Sequence, residues 1–146
     1  MQKIYMACDH AAFDGKTELK NYLSKKFEII DLGTDSSDRC NYPDYAIKFA
    51  KAFQKEPLPG ILLCGSGIGI SIVANRFKGI RAALCRTPLE AELSRQHNDS
   101  NVLCLGARLN SAEELVAISE AWFKAEFEGG RHSERIEIFN ELGELA

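Results

Sequence analysis

The residues best equipped for chemistry sit in one short stretch, Cys64-Gly65-Ser66-Gly67-Ile68-Gly69. It follows Ile61-Leu62-Leu63, an apolar run typical of a strand buried on both faces. It leads into Ile70, Ile72, Val73 and Ala74, which read as a helix. A strand, a glycine turn and a helix bring backbone N–H groups together at a helix N-terminus, where they attract a phosphate or a developing oxyanion. Cys64 at the strand end lies beside the positive end of that helix, which favours a thiolate and makes it a candidate base or nucleophile. Ser66 adds a hydroxyl inside the turn. The plainer alternative is a tight connection whose cysteine is a small buried hydrophobe. The turn is no nucleotide signature: a dinucleotide fingerprint needs glycine where Ile70 stands, and a Walker A loop needs Gly-Lys-Ser/Thr.

Other polar groups gather near predicted strand ends. Asp9-His10 closes the first strand and is a reasonable acid/base pair, with a solvated turn as the alternative. Cys85 and the Gly106-Ala107-Arg108 turn close the fourth and fifth strands. Arg131 and Arg135, at i,i+4, share one helix face and can grip a single phosphate, or simply face solvent. His97-Asn98 ends the helix leading into the fifth strand, which places it on the opposite edge of the sheet. His132 points away from the arginine face and is assigned no role.

The chain has 146 residues, 45% hydrophobic and 27% charged, enough for one domain over 1–146 with a full core. A net charge of −3 without a basic cluster argues against nucleic acid or an acidic membrane surface as partner. No apolar run reaches the roughly 18 residues of a membrane span. Met1-Gln2-Lys3-Ile4-Tyr5 enters a strand directly, with no signal peptide expected. The five cysteines include no Cys-x-x-Cys pair, and four of them (Cys8, Cys64, Cys85 and Cys104) fall near the ends of predicted strands. Reduced thiols in a cytoplasmic protein are the expectation.

The elements that must position these groups alternate. Strands are predicted at 3–8, 27–31, 61–64, 80–85 and 101–105. The first helix spans about 14–26 with Leu19, Tyr22 and Leu23 inward. A polar loop over 33–41, with no core residue of its own, precedes a second helix opened by Pro43 and carrying Tyr45, Ala46, Phe49, Ala50 and Phe53. Capping boxes at Thr87-Pro88-Leu89-Glu90 and Ser111-Ala112-Glu113-Glu114 start two more helices. The first of these carries Leu89 and Leu93, the second Leu115, Ile118, Trp122 and Ala125 on one side. Gly129-Gly130 stops the latter, and 131–142 forms a last helix. This alternation predicts a three-layer, Rossmann-like α/β fold with a five-stranded parallel sheet, and a ligand site beyond the strands' carboxyl ends.

Cys8-Asp9-His10, the run Cys64 to Asn75, Gly79-Ile80-Arg81-Ala82, Ser94 to Asp99, Gly106-Ala107-Arg108 and Glu128 to His132 together resemble the ribose-5-phosphate isomerase B family, nearly end to end. Galactose-6-phosphate and allose-6-phosphate isomerases belong to the same group. The resemblance implies an aldose–ketose isomerisation of a small phosphorylated sugar, ribose 5-phosphate to ribulose 5-phosphate, with no metal or cofactor. It makes Cys64 the base that moves a proton between C2 and C1 through an enediolate. A branch of the family uses a glutamate six places on, and Ile70 there puts this chain with the cysteine branch.

The same resemblance gives Ser66 the proton transfer between O1 and O2. Backbone N–H groups over Gly65, Gly67, Ile68, Gly69 and Ile70, with Asn98, would hold the enediolate oxygens. His97 and Asp9 match positions linked to ring opening; His10, Arg108, Arg131 and Arg135 match phosphate contacts. It implies a homodimer or a dimer of dimers whose sites are shared between subunits, so that His97 and the arginines reach a neighbour's cleft. Two other readings stay open: a hexose-6-phosphate isomerase, and a phosphate-binding module that does no chemistry.

Overall fold

The computed structural model describes all of residues 1–146. Five strands, β1 (Gln2–Cys8), β2 (Phe27–Asp31), β3 (Gly60–Cys64), β4 (Ala82–Leu84) and β5 (Val102–Gly106), form one parallel sheet in the order β2-β1-β3-β5-β4. Four helices connect them, α1 (Phe13–Leu23), α2 (Tyr42–Lys55), α3 (Ile68–Ala74) and α4 (Pro88–Asn98), and two more follow β5, α5 (Ala112–Lys124) and α6 (Arg131–Asn140). A single 3₁₀ turn, His10–Ala12, leads into α1.

The central strands are apolar on both faces because both faces are covered. Ile4, Met6, Ile61, Leu63, Leu103 and Leu105 pack against residues of α1, α4 and α5. On the other face, Tyr5, Ala7, Leu62 and Cys104 meet Ala46, Phe49, Phe53, Ile70 and Ala74 of α2 and α3. The chain turns back between β1 and β3: β2 lies outside β1, and all later strands lie on the β3 side. Loops leaving the carboxyl ends of β1 and β3 therefore diverge and leave a cleft between them. No helix is long and apolar enough to cross a membrane.

Several local expectations are corrected. β4 keeps only three of its six predicted residues, because the segment from Gly79 to Arg81 is tied up by Asn101 and Asp99 side chains and backbone instead. The Thr87 cap accepts from Glu90 N–H at 3.2 Å, but the Glu90 carboxylate turns to Arg86 N–H at 2.7 Å, so that box is only half closed. The Ser111–Glu114 box is complete. Leu89 and Leu93 are exposed, and α4 buries Ala91 and Ser94 instead. The first helix ends at Leu23 rather than Lys26, and the last at Asn140 rather than Leu142. Cys104 lies in the middle of β5, and all five cysteines are free thiols.

The loop after β2 also departs from expectation, since Thr34 is buried. Its carbonyl accepts from Lys16 Nζ at 2.9 Å, and the same ammonium reaches Asp31 Oδ1 at 2.7 Å. Lys16 is only 2% exposed, as buried as the apolar residues of the core. Burial alone would raise the Asp31 carboxyl. Hydrogen bonds from Lys16, the Gly33 N–H and Lys20 outweigh that and hold it below the usual carboxylate range.

Candidate active site

The turn from β3 into α3 is shaped by hydrogen bonds at every residue. Cys64 ends β3 nearly buried, and its Sγ accepts from the Gly67 N–H at 3.1 Å. Ser66 Oγ accepts from the Ile68 N–H at 3.2 Å. Gly67 holds φ +78°, and a Cβ there would lie 2.8 Å from the Leu105 backbone, so only glycine fits. The carbonyl of Gly65 accepts from Arg108 N–H at 3.0 Å, and that of Ser66 accepts from the Arg86 guanidinium. With Gly67 as N-cap, the first bond into α3 runs from Ser71 N–H to the Gly67 carbonyl, and the N–H groups of Gly69 and Ile70 ahead of it are orphan donors. The N–H groups of Gly65 and Ser66 likewise donate to no protein acceptor. These four donors and the thiol all belong to one short region, Cys64 to Ile70.

That region is the floor of a cleft of about 630 Å³ between the ends of β1 and β3. Cys64, Gly65, Ser66, Ile68 and Gly69 form one wall. Asp9, His10, Arg108 and Tyr42 complete its lining. Asp9 is buried, and its Oδ1 accepts from Ala11 N–H at 3.1 Å, which fixes it at the start of the 3₁₀ turn. His10 Nδ1 sits against the backbone of Cys40, 3.1 Å from its N–H and 3.2 Å from its carbonyl oxygen, which ties the ring to the loop over 33–41. Tyr42 packs so closely on the turn that a Cβ at Gly69 would stand 2.4 Å from its ring. Ile70 contributes no side chain to the cleft, being fully buried in the core.

The other expected residues form a second group outside this cleft. α4 ends at His97-Asn98 because Asp99 takes a left-handed conformation (φ 46°), held by ion pairs from Arg81 at 3.3 Å and Arg95 at 3.1 Å. Asn98 lines a separate cavity of about 430 Å³ beside the segment 79–83. His97 stacks on His132 with ring centroids 4.6 Å apart, which brings the end of α4 against the start of α6. Arg131 and Arg135 lie exposed on α6 without ion-pair partners. His132, assigned no role from the sequence, is the one buried residue of α6. The sequence placed His97 on the far edge from the turn, and in the single chain it stands apart from the cleft.

Sequence reasoning missed Arg86, although a signal existed. Thr87-Pro88 starts a helix directly after the fourth strand, which leaves Arg86 on the same carboxyl edge as the turn. Tyr42 carries no such signal, since a tyrosine ahead of a proline helix start reads as an ordinary surface ring and only the fold lays it on Gly69.

The ribose/galactose isomerase family model matches residues 4–139. The chain belongs to that family. Among its ribose/galactose isomerase relatives, ribose-5-phosphate isomerase B of Escherichia coli is 49% identical over 144 residues, which cover 97% of each chain. The crystal structure of the Thermotoga maritima ribose 5-phosphate isomerase superposes with a TM-score of 0.91 at 48% identity, covering 95% of this chain and 97% of that one. The Mycoplasma genitalium ribose-5-phosphate isomerase B, solved with ribulose-5-phosphate bound, gives 0.89 at 38% identity over 94% of this chain and 93% of that one. The three-layer parallel fold expected from the sequence is the fold of these structures.

Proposed function

We propose that this chain interconverts D-ribose 5-phosphate and D-ribulose 5-phosphate, with Cys64 as the base. The observation that carries the reading is the pairing of a thiol with a ring of unsatisfied backbone donors at the base of a cleft flanked by His10 and Arg108. Relatives bearing the isomerase name and one bound to ribulose-5-phosphate support the substrate.

The chemistry follows from the groups present. In the open-chain aldose the carbonyl is at C1, and the proton on C2 is acidic only if the resulting negative charge on O1 is stabilised. Sγ of Cys64 takes the C2 proton, the electron pair forms the C1–C2 double bond, and O1 becomes an oxyanion. Backbone N–H groups of Gly65, Ser66, Gly69 and Ile70 meet that charge without having to reorganise. Ser66 Oγ carries the proton from O2 to O1. The thiol then returns its proton to C1, leaving a carbonyl at C2 and no net change in composition. His10 and Arg108 hold the phosphate from one wall.

Ring opening and the rest of the phosphate grip fall to a second chain. His97, Asn98, Arg131 and Arg135 are grouped on each subunit but outside its own cleft, which supports a homodimer that completes each site from its partner. Asp9 shares the ring-opening step with His97 of the neighbour. The ion or cofactor requirement is nil in this mechanism, because charge is met by backbone dipoles and guanidinium groups.

Initial rates with ribose 5-phosphate, allose 6-phosphate and galactose 6-phosphate, in EDTA, test the reading. Preference for ribose 5-phosphate is expected. A hexose phosphate turned over faster would move the substrate and keep the thiol mechanism, whereas no rate with any of them would leave a binding module.

A further inference from the structure

His97, Glu128 and His132 bring three potential ligand atoms within 4.8 Å of one another, outside the cleft. Glu128 Oε1 lies 3.5 Å from His132 Nε2 and 3.8 Å from His97 Nε2, and no lysine or arginine pairs with it. His132 is only 6% exposed, yet its Nε2 has no hydrogen-bond partner. An imidazole nitrogen buried without a partner costs free energy that a ligand would recover. The backbone joins the same groups: the Glu128 N–H donates to Gln96 O at 3.0 Å, fixing the carboxylate's segment against the residue before His97.

Two imidazoles and one carboxylate are the donor set of a borderline divalent transition ion with an open position for water. We propose that His97, Glu128 and His132 bind such an ion, of the zinc class, and that its occupancy switches the isomerase off by withdrawing His97. Ligand atoms around a tetrahedral ion stand about 3.4 Å apart, given bonds of about 2.0–2.2 Å. The site must therefore contract, and the rings, now 18° from parallel, must converge. His132 is locked in place by burial, while the His97 side chain is 37% exposed and free to turn. Binding pulls that ring out of its stack. The half-exposed Glu128 gives the ion its way in. The ion is no cofactor here, and the inhibitory half rests on the role proposed for His97 in ring opening.

Titration of the chelator-stripped protein with Co²⁺ tests the site without requiring activity. Visible d–d bands are expected, without the thiolate-to-cobalt charge-transfer band that a cysteine ligand adds, and they persist in Cys64→Ala. Glu128→Gln, an exposed substitution, should weaken binding by about tenfold or more, since loss of even an outer-shell partner costs roughly that. Bands unchanged in Glu128→Gln, a charge-transfer band lost in Cys64→Ala, or no bands at all would overturn the site. In rate assays, Zn²⁺ should inhibit and EDTA restore. Glu128→Gln should keep its metal-free rate and need about tenfold more Zn²⁺ for the same inhibition. A rate indifferent to Zn²⁺ while the Co²⁺ bands form would overturn the inhibitory role.

Discussion

The Gly67 N–H donates to Sγ of Cys64 across 3.1 Å, so the donor just ahead of α3 is aimed at the thiol. Four neighbouring N–H groups, those of Gly65, Ser66, Gly69 and Ile70, are left without a protein acceptor. The proposed base and the proposed oxyanion donors thereby come from one turn without competing for the same dipole.

As the proposed base, Cys64 should be dispensable for binding and indispensable for proton transfer. Cys64→Ala is expected to lower kcat by roughly 10²–10⁴-fold. Exchange of the C2 proton with solvent deuterium, followed by NMR, should vanish in the same variant. Normal exchange would assign the proton to another group.

The five thiols should differ sharply in reactivity. Burial pushes Cys8 and Cys85 up to about 11, and raises Cys104 too. These three remain protonated and enclosed near neutral pH. Iodoacetamide should label Cys64, at the cleft, and the half-exposed Cys40 first. Ribose 5-phosphate should protect Cys64 alone, as read by peptide mass spectrometry.

Arg86 and Gly106 together set the height of the turn. The Arg86 guanidinium holds the Ser66 carbonyl, and that carbonyl lies so close that a Cβ on Gly106 would stand 2.5 Å from it. Arg86→Ala should release the turn and lower kcat by about 10–100-fold through misplacement alone, with thermal unfolding little changed. Gly106→Ala pushes the same carbonyl from below, so it should lower kcat and also cost about 1–3 kcal/mol of stability.

The Lys16–Asp31 pair makes an acid-sensitive contribution to stability. The folded Asp31 carboxyl is held below its ordinary value of about 3.9, so its stabilisation is complete above that value and is lost as pH falls through the folded one. Urea unfolding between pH 7 and pH 3 should show stability dropping below about pH 4. Asp31→Asn should lower stability at pH 7 and flatten that drop. Lys16→Met should cost on the order of 2 kcal/mol, less than a fully buried pair would lose, because Lys20 stays on Asp31 at 3.0 Å.

The strands and the central turn were legible because apolar runs bounded by glycine leave little choice of structure. Leu19, Phe49, Ile61 and Trp122 all pack where their spacing put them. Lys16 was not legible: a lysine on a helix reads as solvent-facing, and only the fold reveals Asp31 and the Thr34 carbonyl waiting beneath it. Leu89 and Leu93 misled in the opposite sense, since helical spacing identifies an apolar face but not what covers it. The union of His97 with His132 was equally hidden, because spacing within α6 says nothing about which helix end arrives beside it.

The separation of two residue groups on each subunit has a genetic consequence. Consider a Cys64→Ala chain mixed with an Arg135→Ala chain, each nearly inactive by itself. In the proposed two-chain site, their hybrid collects both lesions in one cleft and leaves the other wholly intact. Co-refolding the two preparations should therefore restore turnover that neither possesses, whereas a site built within one chain would stay silent in every mixture.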